Sequence, residues 1–338
     1  MSERREPQPQ TFVSRQNGDP ENGRGDARMV PEKPSRSYYG RSILKEPTWT
    51  WEIPCYFFAG GLAGASSGLA FVAELFGNRR LARGARIAAL AGAAVSPALL
   101  ISDLGRPARF YNMLRVFKPT SPMSVGTWVL TGFGPSAGVA AMTDVLGVFP
   151  RLGRLAGAVA ALLGPALSTY TAVLVADTSV PVWHEARREL PLVFAAGSAA
   201  SAGAAAVILT PVEDAGPARR LAVGGALVEV AVVEAMKRRL GTLLAEPYRQ
   251  GQAGRYDRLA AASSVLGAAL MGLFGRKRRS AAMVGGALVL AGAALERWAV
   301  YKAGFQSARD PRYTVIPQRE RLRERDGAAG DSEGKGLR

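Results

Sequence analysis

The chain is poor in the side chains that hold redox metals. Among 338 residues there is one cysteine, Cys55, and one histidine, His184. A single cysteine excludes an internal disulfide and any iron–sulfur cluster held by this chain alone. A single histidine excludes a haem held between two histidines of the same chain. Charge is scarce too, but only in the middle. Residues 1–47 and 303–338 are charged and short of aliphatic residues, whereas the intervening sequence runs for long stretches on Ala, Gly, Leu and Val. The tails cannot bury enough apolar surface to order themselves, so disordered basic and charged tails are expected there. No apolar stretch occurs in the first forty residues, so no secretory signal peptide is expected.

What is present is membrane-like. Uncharged runs of about 18 residues or more read as spans. Eight are expected, at 53–76, 85–102, 123–147, 154–176, 190–210, 220–236, 258–274 and 280–301. The fold class is therefore all-α and integral to the membrane, with a spanning domain over 48–302. The formal charge of +16 would suggest nucleic acid in a soluble protein. Here Arg and Lys lie between apolar runs, where they meet lipid headgroups and fix topology, so no nucleic-acid partner is expected. Small-residue segments such as GGLAGASSG at 60–68 and AAGSAASAGAAA at 195–206 let helix backbones approach closely.

An even number of spans puts both termini on one side of the membrane, the terminal side. Short basic loops at 78–86, 151–154 and 276–279 lie opposite and favour the cytoplasm. The termini are thus expected on the outer face of a bacterial inner membrane. Helix direction then gathers polar residues at the terminal side: Glu52 and Tyr56 entering the first span, Asp103 leaving the second, Tyr170 and Asp177 on the fourth, Glu234 on the sixth and Glu296 on the eighth.

Three segments carry chemistry. In WTWEIPCYFFAGGLAG at 49–64, Trp51, Tyr56 and Glu52 either form an interfacial aromatic belt or wall a site for a flat amphipathic ligand. In ISDLGRPARFYNMLRVFKPTSPMSVGTW at 101–128, Asp103 and Arg106 are spaced for an ion pair that fixes the loop, and Arg106 and Arg109 could face a docked subunit. In STYTAVLVADTSVPVWHE at 168–185, Tyr170 lies seven residues inside Asp177, roughly 10 Å along a helix. A phenol at that depth needs a hydrogen-bond partner, on a neighbouring helix or on a ligand. His184 follows in the polar segment as an interfacial or proton-transferring group. Carboxylates inside a membrane are costly, which makes Glu229 and Glu234 functional candidates; Glu234, nearer the terminal side, is the better one, or it instead pairs with a terminal-side Arg.

Taken together, PCYFFAGGLAG, SDLGRPARFYNML, SPMSVGTW and STYTAVLVADTSVPVW followed by LPLVFAAGSAASAG resemble the NrfD-like family, the membrane subunits of polysulfide reductase and related molybdenum or tungsten oxidoreductases. The resemblance is strongest over residues 48–210. It implies eight helices in two four-helix bundles, no haem, and a menaquinone or ubiquinone site near the face where an iron–sulfur, ferredoxin-like subunit docks. The molybdenum or tungsten catalytic centre would lie on a further chain. A tyrosine in the fourth helix, matched by Tyr170, would stand near the quinone. Glu52 occupies the start of the first helix where the family has an amide or histidine pair. The expected function is a quinone-reactive anchor in which Glu52, Tyr170, Asp177 and His184 serve hydrogen bonding and proton delivery, and Trp51, Tyr56, Asp103, Arg106 and Tyr170 hold the quinone. A secondary transporter and a purely structural anchor are the alternatives.

Overall fold

The computed structural model describes residues 43–335; the greater part of the expected N-terminal tail and the last three residues lie outside them. Among the described residues the chain is helical throughout, without strands. The long helices are α1 (Glu52–Leu75), α2 (Arg79–Asp103), α3 (Pro122–Leu146), α4 (Pro150–Ala176), α5 (Leu190–Leu209), α6 (Gly216–Arg239), α7 (Gly251–Leu273), α8 (Arg279–Arg309) and α9 (Arg312–Lys335). Six of them, α1 to α5 and α8, are long and apolar enough to cross a membrane. Helices α6 and α7 are interrupted by Arg219, Arg220, Glu229, Glu234 and Lys237, and by Arg255, Asp257 and Arg258.

Local signals set the boundaries. Gly77 at φ +75° turns the chain out of α1, and the Asn78 side chain then accepts from the Leu81 N–H to cap α2. Pro122 and Pro150 open α3 and α4, where a missing N–H costs nothing. Several spans run past their expected limits. The first turns of α2 are basic but remain helical because Arg86 joins the Glu74 carboxylate of α1 and the Asp144 carboxylate of α3. At the other extreme, α8 continues through Arg309, beyond the start of the expected tail at 303, because Ala303, Gly304, Ser307 and Ala308 are buried. Its 31 residues measure about 46 Å, longer than a hydrocarbon core of ~30 Å, so its last turns extend past the apolar layer.

Neighbouring relations follow small residues. Helix α1 packs on α2 and α4, and α3 packs on the same two; α5 packs on α6 and α8, and α7 on the same two. Helices α1, α2 and α4 also touch α5, and α1 touches α8. At the α1–α4 crossing, a Cβ on Gly64 would stand 2.3 Å from the Gly164 carbonyl oxygen, and one on Gly164 the same distance from that of Gly64. Only a glycine pair permits this approach.

One end of the molecule gathers the N-terminal segment, the end of α2, the short helix Pro181–Glu185, and the ends of α6 and α8. The Trp49 ring stacks on Trp183 at 5.5 Å between centroids. Tyr301 donates to the Trp49 carbonyl at 2.6 Å, and Arg309 pairs with Glu46 at 2.7 Å. Arg239 binds Glu189, and Arg321 of α9 binds Glu185. The opposite end is built on Arg86 with Glu74 and Asp144, Arg80 with Asp214, and Arg279 on the carbonyls that end α5.

Candidate functional site

The terminal end of α1 to α4 holds the residues singled out from sequence, in three groups rather than one. The first is a phenol pair. Tyr56 of α1 is 2% exposed, and its hydroxyl contacts that of half-buried Tyr170 on α4, with the rings edge-on at 6.4 Å. Glycine in α3 makes room for this: a Cβ on Gly126 would fall 2.0 Å from Tyr170 Cε2. Gly126 belongs to the SPMSVGTW segment, yet nothing in its local pattern marks it as the floor under a tyrosine. Two phenols carry two hydroxyl protons. One joins the pair, and the other has no acceptor among the contacts of these two hydroxyls, so it is available to a ligand oxygen.

One turn towards the terminal end, Glu52 and Asp103 converge on Thr50. The Thr50 backbone N–H and hydroxyl both reach the Asp103 carboxylate, at 3.4 and 2.9 Å, and the hydroxyl also contacts Glu52. That hydroxyl can donate to only one carboxylate at a time. The expected Asp103–Arg106 ion pair does not form; Asp103 instead ties the end of α2 to the entry of α1, where Thr50 offers an unpaired N–H ahead of the helix. Arg106 and Arg109 are exposed. Trp51 is 58% exposed and stands outside both groups; the indole that packs at this level is Trp49.

Asp177 and His184 lie apart from the phenols. Asp177 ends α4 and is exposed. His184 is exposed and lines a cavity of about 200 Å³ with Thr178, Glu185, Tyr313 and Arg321, beneath α9. Burial pushes the nearby Tyr313 hydroxyl above its ordinary range. Glu234 pairs with Lys237 at 3.0 Å and lies near Arg238, the terminal-side pairing that its position suggested. Glu229 is buried against Arg297 at 3.0 Å. Arg297 also donates to the Phe194 carbonyl and lies over the Phe194 ring. No local pattern marks Arg297 as Glu229's partner, since 68 residues separate them.

An apolar groove of about 350 Å³ opens between α2 and α3, and neither tyrosine lines it. It runs past Ala93, Pro97, Leu130 and Pro135, under Phe110 and Leu114 of the 104–121 loop. Leu130 is one turn from Gly126 on α3. The groove could house an apolar tail while the phenols meet a polar head. Among the described residues no cluster of His, Cys, Asp and Glu has the grouping of a metal site.

Residues 36–309 match the family model described as polysulfide reductase, of the NrfD type. The chain belongs to that family. No curated protein matches it. Membership, together with the six spans, makes it a multi-pass membrane protein of the class that forms membrane subunits of oxidoreductase complexes. The NrfD-type chain thus carries its phenol pair on the end where α1 begins and α4 finishes.

Proposed function

We propose that this NrfD-type chain is the quinone-reactive membrane anchor of a multi-subunit oxidoreductase. The observation that carries the reading is the Tyr56–Tyr170 pair, with one hydroxyl proton left over; a separate apolar groove lies between α2 and α3. A quinone has the matching shape: a flat head with carbonyl acceptors and a long apolar tail. Tyr170 would donate to a head oxygen, Tyr56 would hold the Tyr170 hydroxyl in place, and the groove between α2 and α3 would take the tail. The match to menaquinone and ubiquinone is equal at this level of chemistry.

Reduction of a quinone takes two electrons and two protons. The electrons would come from an iron–sulfur, ferredoxin-like subunit on the terminal end, itself fed by a molybdenum or tungsten subunit. The loop 104–121 supports docking there: it has Arg106, Arg109, Arg115 and Lys118 without an acidic residue, and exposes Tyr111, Val116 and Phe117. The Glu52–Thr50–Asp103 group, one turn from Tyr56, is placed to pass protons from water to the phenols. Asp177 and His184 are assigned to the exposed end of this route, where they would exchange protons with solvent or meet the docked subunit.

For topology, we read α6 and α7 as spans as well. The charges deeper in these helices are paired at Glu229–Arg297 and Lys237–Asp257, as charges inside a membrane must be, while Arg219, Arg220, Arg255 and Arg258 lie near the helix starts. The arrangement is then eight spans in two four-helix bundles, α1–α4 and α5–α8. The arginine-bearing starts of α2, α4, α6 and α8 at the opposite face support a cytoplasmic location for it, with the terminal end outside a bacterial inner membrane.

The test removes one oxygen. In the assembled complex, Tyr170→Phe should lower quinone-linked turnover while leaving electron transfer from the catalytic subunit to a soluble dye intact. Loss of both activities together would make Tyr170 a structural residue, and unchanged quinone turnover would remove it from the site.

A further inference from the structure

The second helix group contains a buried carboxyl that the quinone reading leaves unused. Glu296 of α8 is 4% exposed, and its Oε1 has no hydrogen-bond partner. It borders a cavity of about 40 Å³ between α6, α7 and α8, with Glu229, Glu234, Lys237, Asp257 and Ser264. A space of that size has room for one or two waters. Asp257 is itself buried and bound to Lys237 at 3.0 Å, and Lys237 binds Glu234 at 3.0 Å. Glu234 is half exposed, so this line of groups leads from Glu296 to the surface at the terminal end. Tyr248, in the short helix Glu246–Arg249, is a second buried group without a partner. Burial first, then the carboxylates of Glu296 and Asp257, hold its hydroxyl well above the ordinary range, so it stays a neutral donor beside them.

The other direction is closed. Glu229 and Arg297 form a dry ion pair with side-chain exposures of 3% and 2%. Helix α5, which packs against α8 here, has no charged side chain. The charged and titratable groups around Glu296 are therefore Glu229, Glu234 and Lys237 from α6, Asp257 from α7, Arg297 from α8 and Tyr248 from the short helix. Arg297 serves Glu229, Lys237 is shared by Asp257 and Glu234, and Arg238 reaches Glu234 at 3.9 Å, so each cation is already engaged with another carboxylate. A fourth, ionised and unpaired at Glu296, would be costly in this setting, and a proton removes that cost.

We propose that Glu296 is a proton-exchange site, a well that opens only to the terminal end through the Asp257–Lys237–Glu234 line. In each exchange the Glu296 O–H bond breaks, the proton passes to a water in the cavity and on past Asp257, and the carboxylate is held by the nearby Arg297 and Lys237 cations until a proton returns. No electron is involved, and the site stands independently of the quinone reading.

Infrared spectroscopy on the full chain in lipid nanodiscs, without quinone, tests this. The expected result is a protonated-carboxyl C=O band that Glu296→Gln abolishes and that shifts on transfer to heavy water. Asp257→Asn should keep the band but slow its shift by about tenfold or more, since a positioned acid–base relay is worth ~10² or more in rate. Ser201→Ala, on α5 one turn beyond Gly197, whose Cβ would meet the Glu229–Arg297 pair, should leave the rate unchanged. A band indifferent to Glu296→Gln, a rate indifferent to Asp257→Asn, or equal slowing by Ser201→Ala would overturn the proposal. Loss of the band on adding sodium would also overturn it, since the site would then bind a metal cation.

Discussion

Gly126→Ala adds one methyl group, and its effect on the phenol pair can be worked from distances. The new Cβ would meet three atoms of the Tyr170 ring, at 2.0, 2.4 and 2.6 Å. Ordinary contact begins near 3.4 Å, so ring or helix must retreat by more than an ångström. The mutual contact of the two hydroxyls cannot survive that movement unless Tyr56 follows, and Tyr56 is packed on all sides. Overpacking of this kind costs about 1–3 kcal/mol, and loss of the phenol bond about 1 kcal/mol more. Turnover with quinone should therefore fall at least as far in Gly126→Ala as in Tyr170→Phe, with dye reduction by the partner subunits preserved. The combined variant gives the sharper readout. If Gly126 acts through the tyrosine, the two losses are strongly non-additive, because the displaced ring has no hydroxyl left to misplace. Additive losses, or a Gly126→Ala variant with full quinone turnover, would refute the claim that Gly126 exists to seat Tyr170.

Other consequences are checked more simply. Reversing charge at both Arg106 and Arg109 should weaken assembly with an iron–sulfur subunit, read by co-purification; normal assembly would leave the loop as a lipid contact only. Arg297→Leu strands the buried Glu229 carboxylate and should cost about 3–5 kcal/mol in thermal or denaturant stability of the solubilised chain, whereas Arg297→Leu combined with Glu229→Leu should recover most of it; equal loss in both would show that packing, not charge, is at stake. The Arg309 guanidinium, chiefly by hydrogen bonding, holds the Glu46 carboxyl below its usual range. That depression contributes stability above the unfolded carboxyl pKa and loses it as pH falls through the lower folded value. Acid should therefore free the segment around Glu46, seen as faster amide exchange there, by no more than the ~0.2–1 kcal/mol of an exposed pair.

The spans were legible because lipid demands long apolar runs, and α1 to α5 and α8 supply them. Their ends were not. The α2 start at Arg79 rather than 85 depends on Arg86 finding Glu74 and Asp144, and the α8 end at Arg309 depends on burial by other elements. The depth of Tyr170 was readable from helical rise alone, and so was its need for a partner. That the partner would be Tyr56, seated by Gly126, was not, because three separate helices decide it. The loop ion pair between Asp103 and Arg106 failed for a similar reason: Thr50, 53 residues away in sequence, offered a nearer donor. Glu229 was marked by its cost inside a membrane, but its partner Arg297 and the unpaired Glu296 beside it emerge only when α6, α7 and α8 are packed together.

The most direct test is a structure of the assembled complex with a short-tailed quinone analogue bound. The account predicts the head oxygen within hydrogen-bond distance of the Tyr170 hydroxyl, with the tail directed into the groove bordered by Ala93, Pro97 and Leu130. A head bound elsewhere, such as the larger cleft beside Lys302 and Gln306, with the Tyr56–Tyr170 pair undisturbed, would contradict it.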